Sequence, residues 1–191
     1  MGGSKTQRPV LTSLQDLTII TALDPETNEA EYVTFYHITS DDHLYFGQLY
    51  KQQKDISLTD YNSALNRVDD REIYSLIPEG TALKIAPSHW DDTTAFIKRP
   101  GLNRYETMKG TAYIPKQVLQ ETLIMEQLSI APHPNIITYL GCHVKRGRIT
   151  AIVLERLGQT LTQLSRTPAF YRLDQDLFSK VLNQLSIIFT H

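Results

Sequence analysis

The sequence predicts a mixed α+β fold, and three observations carry the prediction. Apolar and β-branched residues alternate with polar ones from Leu14 to Tyr50 and again after Ile136, at the period of a half-buried strand. Between them Val118, Met125 and Leu128 fall on one face of a helix at offsets of zero, seven and ten. Pro, Gly, Asn and Asp stand at the breaks between these stretches, where the chain has to turn.

Leu14 to Leu23 and Tyr32 to Ile38 flank the turn Asp24-Pro25-Glu26-Thr27-Asn28, which predicts a hairpin. Leu44 to Tyr50 follows the polar turn Ser40-Asp41-Asp42 and completes a β-meander. The polar run Lys51 to Thr59 reads as a linker, placing a unit boundary near residue 57. A short helix is expected from Asp60 to about Asn66. Strands are expected near Ile73 to Ile77, Thr81 to Ile85 and Thr94 to Arg99, broken by Pro78-Glu79-Gly80 and by the loop from Pro87 to Asp92.

Pro115 to Leu128 reads as an amphipathic helix, with proline in the first turn, where its missing N–H costs nothing. Glu121 lies on the apolar face of that helix and needs a cation, whereas Glu126 lies elsewhere and can remain solvated. Pro132 and Pro134 end the helix, and His133 reads as a residue of that turn. Ile136 to Leu140 and Ile149 to Leu154 then form a second hairpin about Lys145-Arg146-Gly147-Arg148. That basic turn reads as a solvated tip rather than as a contact for a phosphate or an acidic partner. A short helix near Thr160 to Ser165 follows, and a long apolar-faced helix from about Asp174 carries Leu177, Phe178, Val181, Leu182, Leu185, Ile188 and Phe189.

Composition removes several functional classes. Nineteen basic against 21 acidic residues give a formal charge of −2, too little positive charge for a broad nucleic-acid-binding face. The lone cysteine, Cys142, cannot form an internal disulfide and reads as a packed thiol in a reducing compartment. No apolar run approaches the roughly 20 residues that span a bilayer, and the N-terminus lacks the apolar core of a signal peptide. These features place the chain in the cytoplasm, with the nucleus as the alternative. Met1-Gly2-Gly3-Ser4-Lys5-Thr6 fits a short myristoylation pattern at Gly2, which alone would give marginal anchoring.

The order of Ala95-Phe96-Ile97-Lys98 on a strand, Glu121 on the following helix, His133-Pro134-Asn135-Ile136, a strand pair and Val153-Leu154-Glu155 resembles the small lobe of a protein kinase. Asp60-Tyr61, Ala64-Leu65, Asp69 to Pro78, Ile97-Lys98-Arg99-Pro100 and Arg146-Gly147-Arg148-Ile149-Thr150 are similar to filamentous-fungal protein-kinase-like proteins, over roughly Asp60 to His191. The resemblance implies residues 1–57 as a meander and linker, 58–157 as a kinase-like small lobe and hinge, and 158–191 as the start of a helical large lobe. It makes Lys98 the strand lysine of the V-A-I-K type that meets nucleotide phosphates, with Glu121 as its carboxylate partner. Leu154 would guard the back of an adenine pocket, and Glu155, Arg156 and Leu157 would be the hinge. ATP with Mg2+ is the implied cofactor, and a protein is the implied substrate or partner.

The chain departs from that family in two respects. It has no G-x-G-x-x-G loop, and Pro78-Glu79-Gly80 stands where the phosphate-covering turn belongs. Neither the catalytic-loop aspartate and asparagine nor the magnesium-binding aspartate is present, so no catalytic residue is expected and the isolated chain should be inactive. The apolar helix after Asp174 would then need a covering partner. Two readings follow: an incomplete ATP-dependent serine/threonine protein kinase domain, or a non-catalytic kinase-like module that binds another protein. A third, an unrelated α+β domain with a metal site at His133, Cys142 and His143, lacks any accompanying ligand spacing.

Overall fold

The fold is α+β, built from antiparallel sheet and short helices. The computed structural model describes residues 9–87, 91–168 and 170; the helix expected from Asp174 lies outside the described residues.

The first sheet runs in the order β1 (Thr18–Leu23), β2 (Ala30–Ile38), β3 (Leu44–Leu49) and β4 (Asn66–Arg67). Its hairpins follow from turn chemistry. Asp24 Oδ1 accepts the N–H groups of Glu26 and Thr27, and Asn28 takes the left-handed conformation at φ 57° that asparagine tolerates.

This sheet does not stop at residue 57. Ser57 and Asp60 form a reciprocal capping box that starts α1 (Leu58–Ala64), and the helix lays Tyr61 and Leu65 under Phe35 and Val33. β4 then returns to pair with Tyr45 and Phe46 of β3. The polar run at 51–59 reads as a linker because it is hydrophilic, but it only covers a surface turn of one continuous layer.

The second sheet is centred on β8 (Arg148–Glu155). Ile149 pairs with both Ser75 and Val144, and Ile152 with both Lys98 and Cys142. Hence β7 (Tyr139–Lys145) lies on one edge of β8, while β5 (Ser75–Leu76) and β6 (Ala95–Lys98) lie end to end on the other. The two-residue loop Arg146-Gly147, at φ 52° and 70°, fixes this hairpin's register. That is why β7 begins at Tyr139 instead of occupying the apolar run Ile136 to Leu140.

Two expected strands shrink. Asp69 caps a 3-10 turn at Asp70–Glu72 through the Arg71 N–H, leaving only Ser75–Leu76 extended and paired. Thr81 to Ile85 forms no ladder; Ile85 makes a single parallel bridge to Cys142, with Cys142 N–H donating to Lys84 O at 2.8 Å and Ala86 N–H to Cys142 O at 2.9 Å. The close crossing needs Gly141, where a Cβ would lie 2.6 Å from Ala86 N and the backbone is at φ 135°. Gly141→Ala is expected to cost about 1–3 kcal/mol through this overlap, read as a lower urea midpoint with an unchanged slope.

Between the sheets, α2 (Tyr105–Met108) and α3 (Tyr113–Ile130) close the main core. It gathers Leu44 of β3, Val68, Ile73 and Tyr74, Tyr105 of α2, Ile114 and Val118 of α3, and Cys142 and Ile149 of the second sheet. Burying such aliphatic and aromatic side chains contributes about 1.5–3 kcal/mol each. One core thus spans both sheets. The last described helix, α4 (Leu161–Ser165), starts at a Thr160 and Gln163 capping box.

A polar clasp joins the β2–β3 turn to the β7–β8 turn. Asp42, at φ 57°, turns its carboxylate inward until the side chain is 2% exposed. Oδ1 accepts from Arg99 Nη2 at 3.1 Å, Oδ2 accepts from the Thr150 hydroxyl at 3.0 Å, and His143 Nδ1 lies 3.1 Å from Oδ2. Arg146 donates to the carbonyl oxygens of Asp41 and Asp42 and, through Nε, to Asp70 Oδ2 at 2.5 Å. The basic turn is therefore not a solvated tip: its acidic partner is the turn Ser40-Asp41-Asp42 of the same chain.

Candidate functional site

Lys98 ends β6 and projects from the sheet face that α3 covers. Phe96 and Lys98 pair with Leu154 and Ile152, and directly opposite residues of an antiparallel pair share a face. On that face Ile152, Leu154 and Tyr139 pack beneath Met125 of α3 and Ile137. Lys98 Nζ donates to Glu121 Oε1, joining strand to helix.

Glu121 sits at the rim of the helix face, not beneath it. The buried stripe of α3 is Ile114, Pro115, Val118 and Thr122, and the Thr122 hydroxyl donates back to Val118 O at 2.8 Å. The side chains of Lys98 and Glu121 remain 47% and 43% exposed, so both ions keep much of their hydration. A pair of that exposure contributes on the order of 0.2–1 kcal/mol. The space enclosed by Lys98, Arg99, Pro100, Val118, Glu121, Ala151 and Ile152 is about 20 Å³, enough for one water molecule.

Leu154 is buried in the cluster under α3. The two residues after it spend their backbone donors internally: Glu155 N–H donates to Thr138 O at 2.9 Å, and Arg156 N–H to Thr94 O at 2.8 Å. Glu155 Oε1 accepts the Thr138 N–H at 2.7 Å, tying the end of β8 to the residue before β7. Arg156 Nε donates to Ala95 O at 3.2 Å, and its guanidinium lies 5.8 Å from the Phe96 ring centroid, a cation–π distance. Leu157 is 62% exposed.

Phe96 escaped the sequence reading, and Glu126, expected to remain solvated, is instead bonded within the chain. Phe96 stands where the V-A-I-K motif has alanine, two residues before the lysine and on its face, so a ring occupies space a methyl would leave open. Strand alternation alone would have placed it there. Glu126 is the helix carboxylate with the most structural work: Oε1 accepts from Lys84 N–H at 2.7 Å and from the Tyr139 hydroxyl at 2.9 Å. No local signal announces this, because Lys84 lies on a segment without regular secondary structure.

His133 accepts the Asn135 N–H at Nδ1 within its own turn, and burial pushes the Cys142 thiol up. Among the described residues no three of His, Cys, Asp and Glu come together as a metal could use them. No helix among the described residues is long and apolar enough to cross a membrane. No family model, curated protein or solved structure matches this chain.

Proposed function

We propose that this chain is a protein-kinase-like small lobe that acts as a non-catalytic, protein-binding module. The observation that carries the kinase-like reading is the Lys98–Glu121 contact, made from the third position after Ala95 on a sheet strand to the helix that follows it, with the β7–β8 hairpin and hinge segment next in the chain. The order β6-β8 with β7 beyond supports it, because it places the lysine strand beside the strand that leads into the hinge.

The non-catalytic form of the reading rests on how poorly these residues fit a nucleotide. A purine needs an open backbone donor at the hinge, and two of the three, those of Glu155 and Arg156, are already bonded within the chain. It also needs a flat slot beside the lysine strand, where Phe96 and the Arg156 guanidinium lie together. A triphosphate needs successive free N–H groups in a glycine-rich turn, and Pro78-Glu79-Gly80 offers one glycine, at φ 74°. Lys98 and Glu121 on this reading hold strand to helix.

Thermal unfolding with and without Mg-ATP tests it. The midpoint is expected to stay unchanged at millimolar nucleotide, and Lys98→Met to lower stability by no more than about 1 kcal/mol, the contribution of a half-exposed ion pair. A rise in midpoint with Mg-ATP that Lys98→Met abolishes would establish the second reading, a nucleotide-binding kinase lobe, which the Lys98–Glu121 pair by itself favours.

A further inference from the structure

The clasp between the two turns contains a histidine whose protonation state is fixed by its partner. Arg67 Nη2 lies 2.8 Å from His43 Nδ1. A guanidinium has only donors, so Nδ1 must accept, and the ring is neutral with its proton on Nε2. A protonated imidazole has no free lone pair, and an N–H would then face an N–H.

Charges of both signs surround that neutral ring. Arg67 and Arg146 supply two cations, Asp70 and Asp41 two anions, and Lys145 lies 3.7 Å from the exposed Asp41 carboxylate. Asp70 Oδ2 holds Arg146 Nε at 2.5 Å, while Asp70 Oδ1 is buried without a hydrogen bond, 3.9 Å from His43 Nδ1 and 4.0 Å from Arg67 Nη2. An acceptor thus waits beside the ring for a proton it does not carry.

We propose that His43 makes this clasp acid-sensitive: protonation ends the Arg67 bond and turns the ring toward Asp70 Oδ1. The new charge lies beside the Arg146 and Arg67 guanidiniums and is repelled by both, and the β2–β3 turn loosens from the β7–β8 turn. Because Asp42 in the same turn also holds Arg99, which follows Lys98, release reaches the end of β6.

Burial lowers the His43 pKa, and Arg146 and Arg67 push the same way against Asp70 and Asp41. The closed clasp therefore binds fewer protons at this site than the open one. Its stability is full above the ordinary histidine value of 6.5 and declines as pH falls below it. His143, the other clasp histidine, is also lowered by burial, yet its Nδ1 faces the Asp42 carboxylate, a partner that keeps its bond when the ring is charged.

Amide hydrogen exchange of the whole chain at pH 7.5 and pH 5.5, corrected for intrinsic rates, tests the proposal. Peptides covering residues 39–46 and 143–150 should lose protection severalfold at the lower pH in the wild type. His43→Asn, which keeps an acceptor for Arg67 but does not titrate, should lose much less protection than the wild type, and His143→Asn should still lose protection at the lower pH. An equal loss in His43→Asn, or a loss abolished only by His143→Asn, overturns it. Should His43→Asn fail to fold, NMR titration of the wild-type His43 ring decides: a midpoint below 6.5 supports the clasp, and one at or above 6.5 overturns it.

Discussion

Asp42→Ala should lower unfolding free energy by about 3–5 kcal/mol, the range for removing one partner of a buried ion pair. The size follows from what is left behind. Arg99, Thr150 and His143 all point at a carboxylate whose side chain is 2% exposed, and of the three Thr150 is wholly buried and cannot replace the lost partner with water. Asp42→Asn should cost less, because an amide oxygen can still accept from Arg99 or Thr150, although the charge is lost. Urea unfolding of the two variants checks this: both midpoints should fall, alanine's further. Equal midpoints for Asp42→Ala and wild type would mean that the two turns are not held by this carboxylate.

Phe35→Ala should cost a similar amount, about 3–5 kcal/mol, and for a reason that can be reversed by design. The ring is wholly buried and stands edge-on to Tyr61, with centroids 4.7 Å apart and planes at 87°. Beneath it lies Gly47, where a Cβ would sit 2.5 Å from two ring carbons. The neighbour on β3 therefore has no side chain with which to fill the cavity. Gly47→Ala should be destabilising in the wild type and far less so with Phe35→Ala, giving a clear coupling energy in a double-mutant cycle. Additive costs would show that the ring and the glycine do not constrain each other.

The parts of the fold legible in the sequence are those fixed by neighbours in the chain. Asp24-Pro25-Glu26-Thr27-Asn28 makes its hairpin through Asp24 Oδ1 and a left-handed Asn28, both local devices. Tyr113–Ile130 is helical where proline in the first turn and an apolar periodicity said it should be. The meeting of Lys98 with Glu121 was expected from the resemblance to a kinase small lobe, whereas the argument that a buried Glu121 demands a cation fails, since its side chain is 43% exposed.

What could not be read depends on residues far apart in the chain. Asp42 looks like any polar turn residue until Arg99, 57 positions on, and Thr150, 108 positions on, close around it. Arg146 looked solvated for the same reason, since its partners lie in the meander. Local composition also misled at 51–59, where hydrophilic residues suggested a linker although α1 and β4 continue the first layer. Phe96 was visible as a residue but not as an obstacle, because its bearing on a nucleotide depends on Arg156 stacking over it.

On the proposed reading Lys98 ties strand to helix and does not hold a nucleotide. Labelling the folded chain with an acyl-phosphate derivative of ATP, with and without excess Mg-ATP, and reading each lysine by mass spectrometry tests this most directly. Lys98 should react no faster than Lys84 or Lys116, and Mg-ATP should not protect it. Rapid, selective labelling of Lys98 that Mg-ATP suppresses would contradict the account.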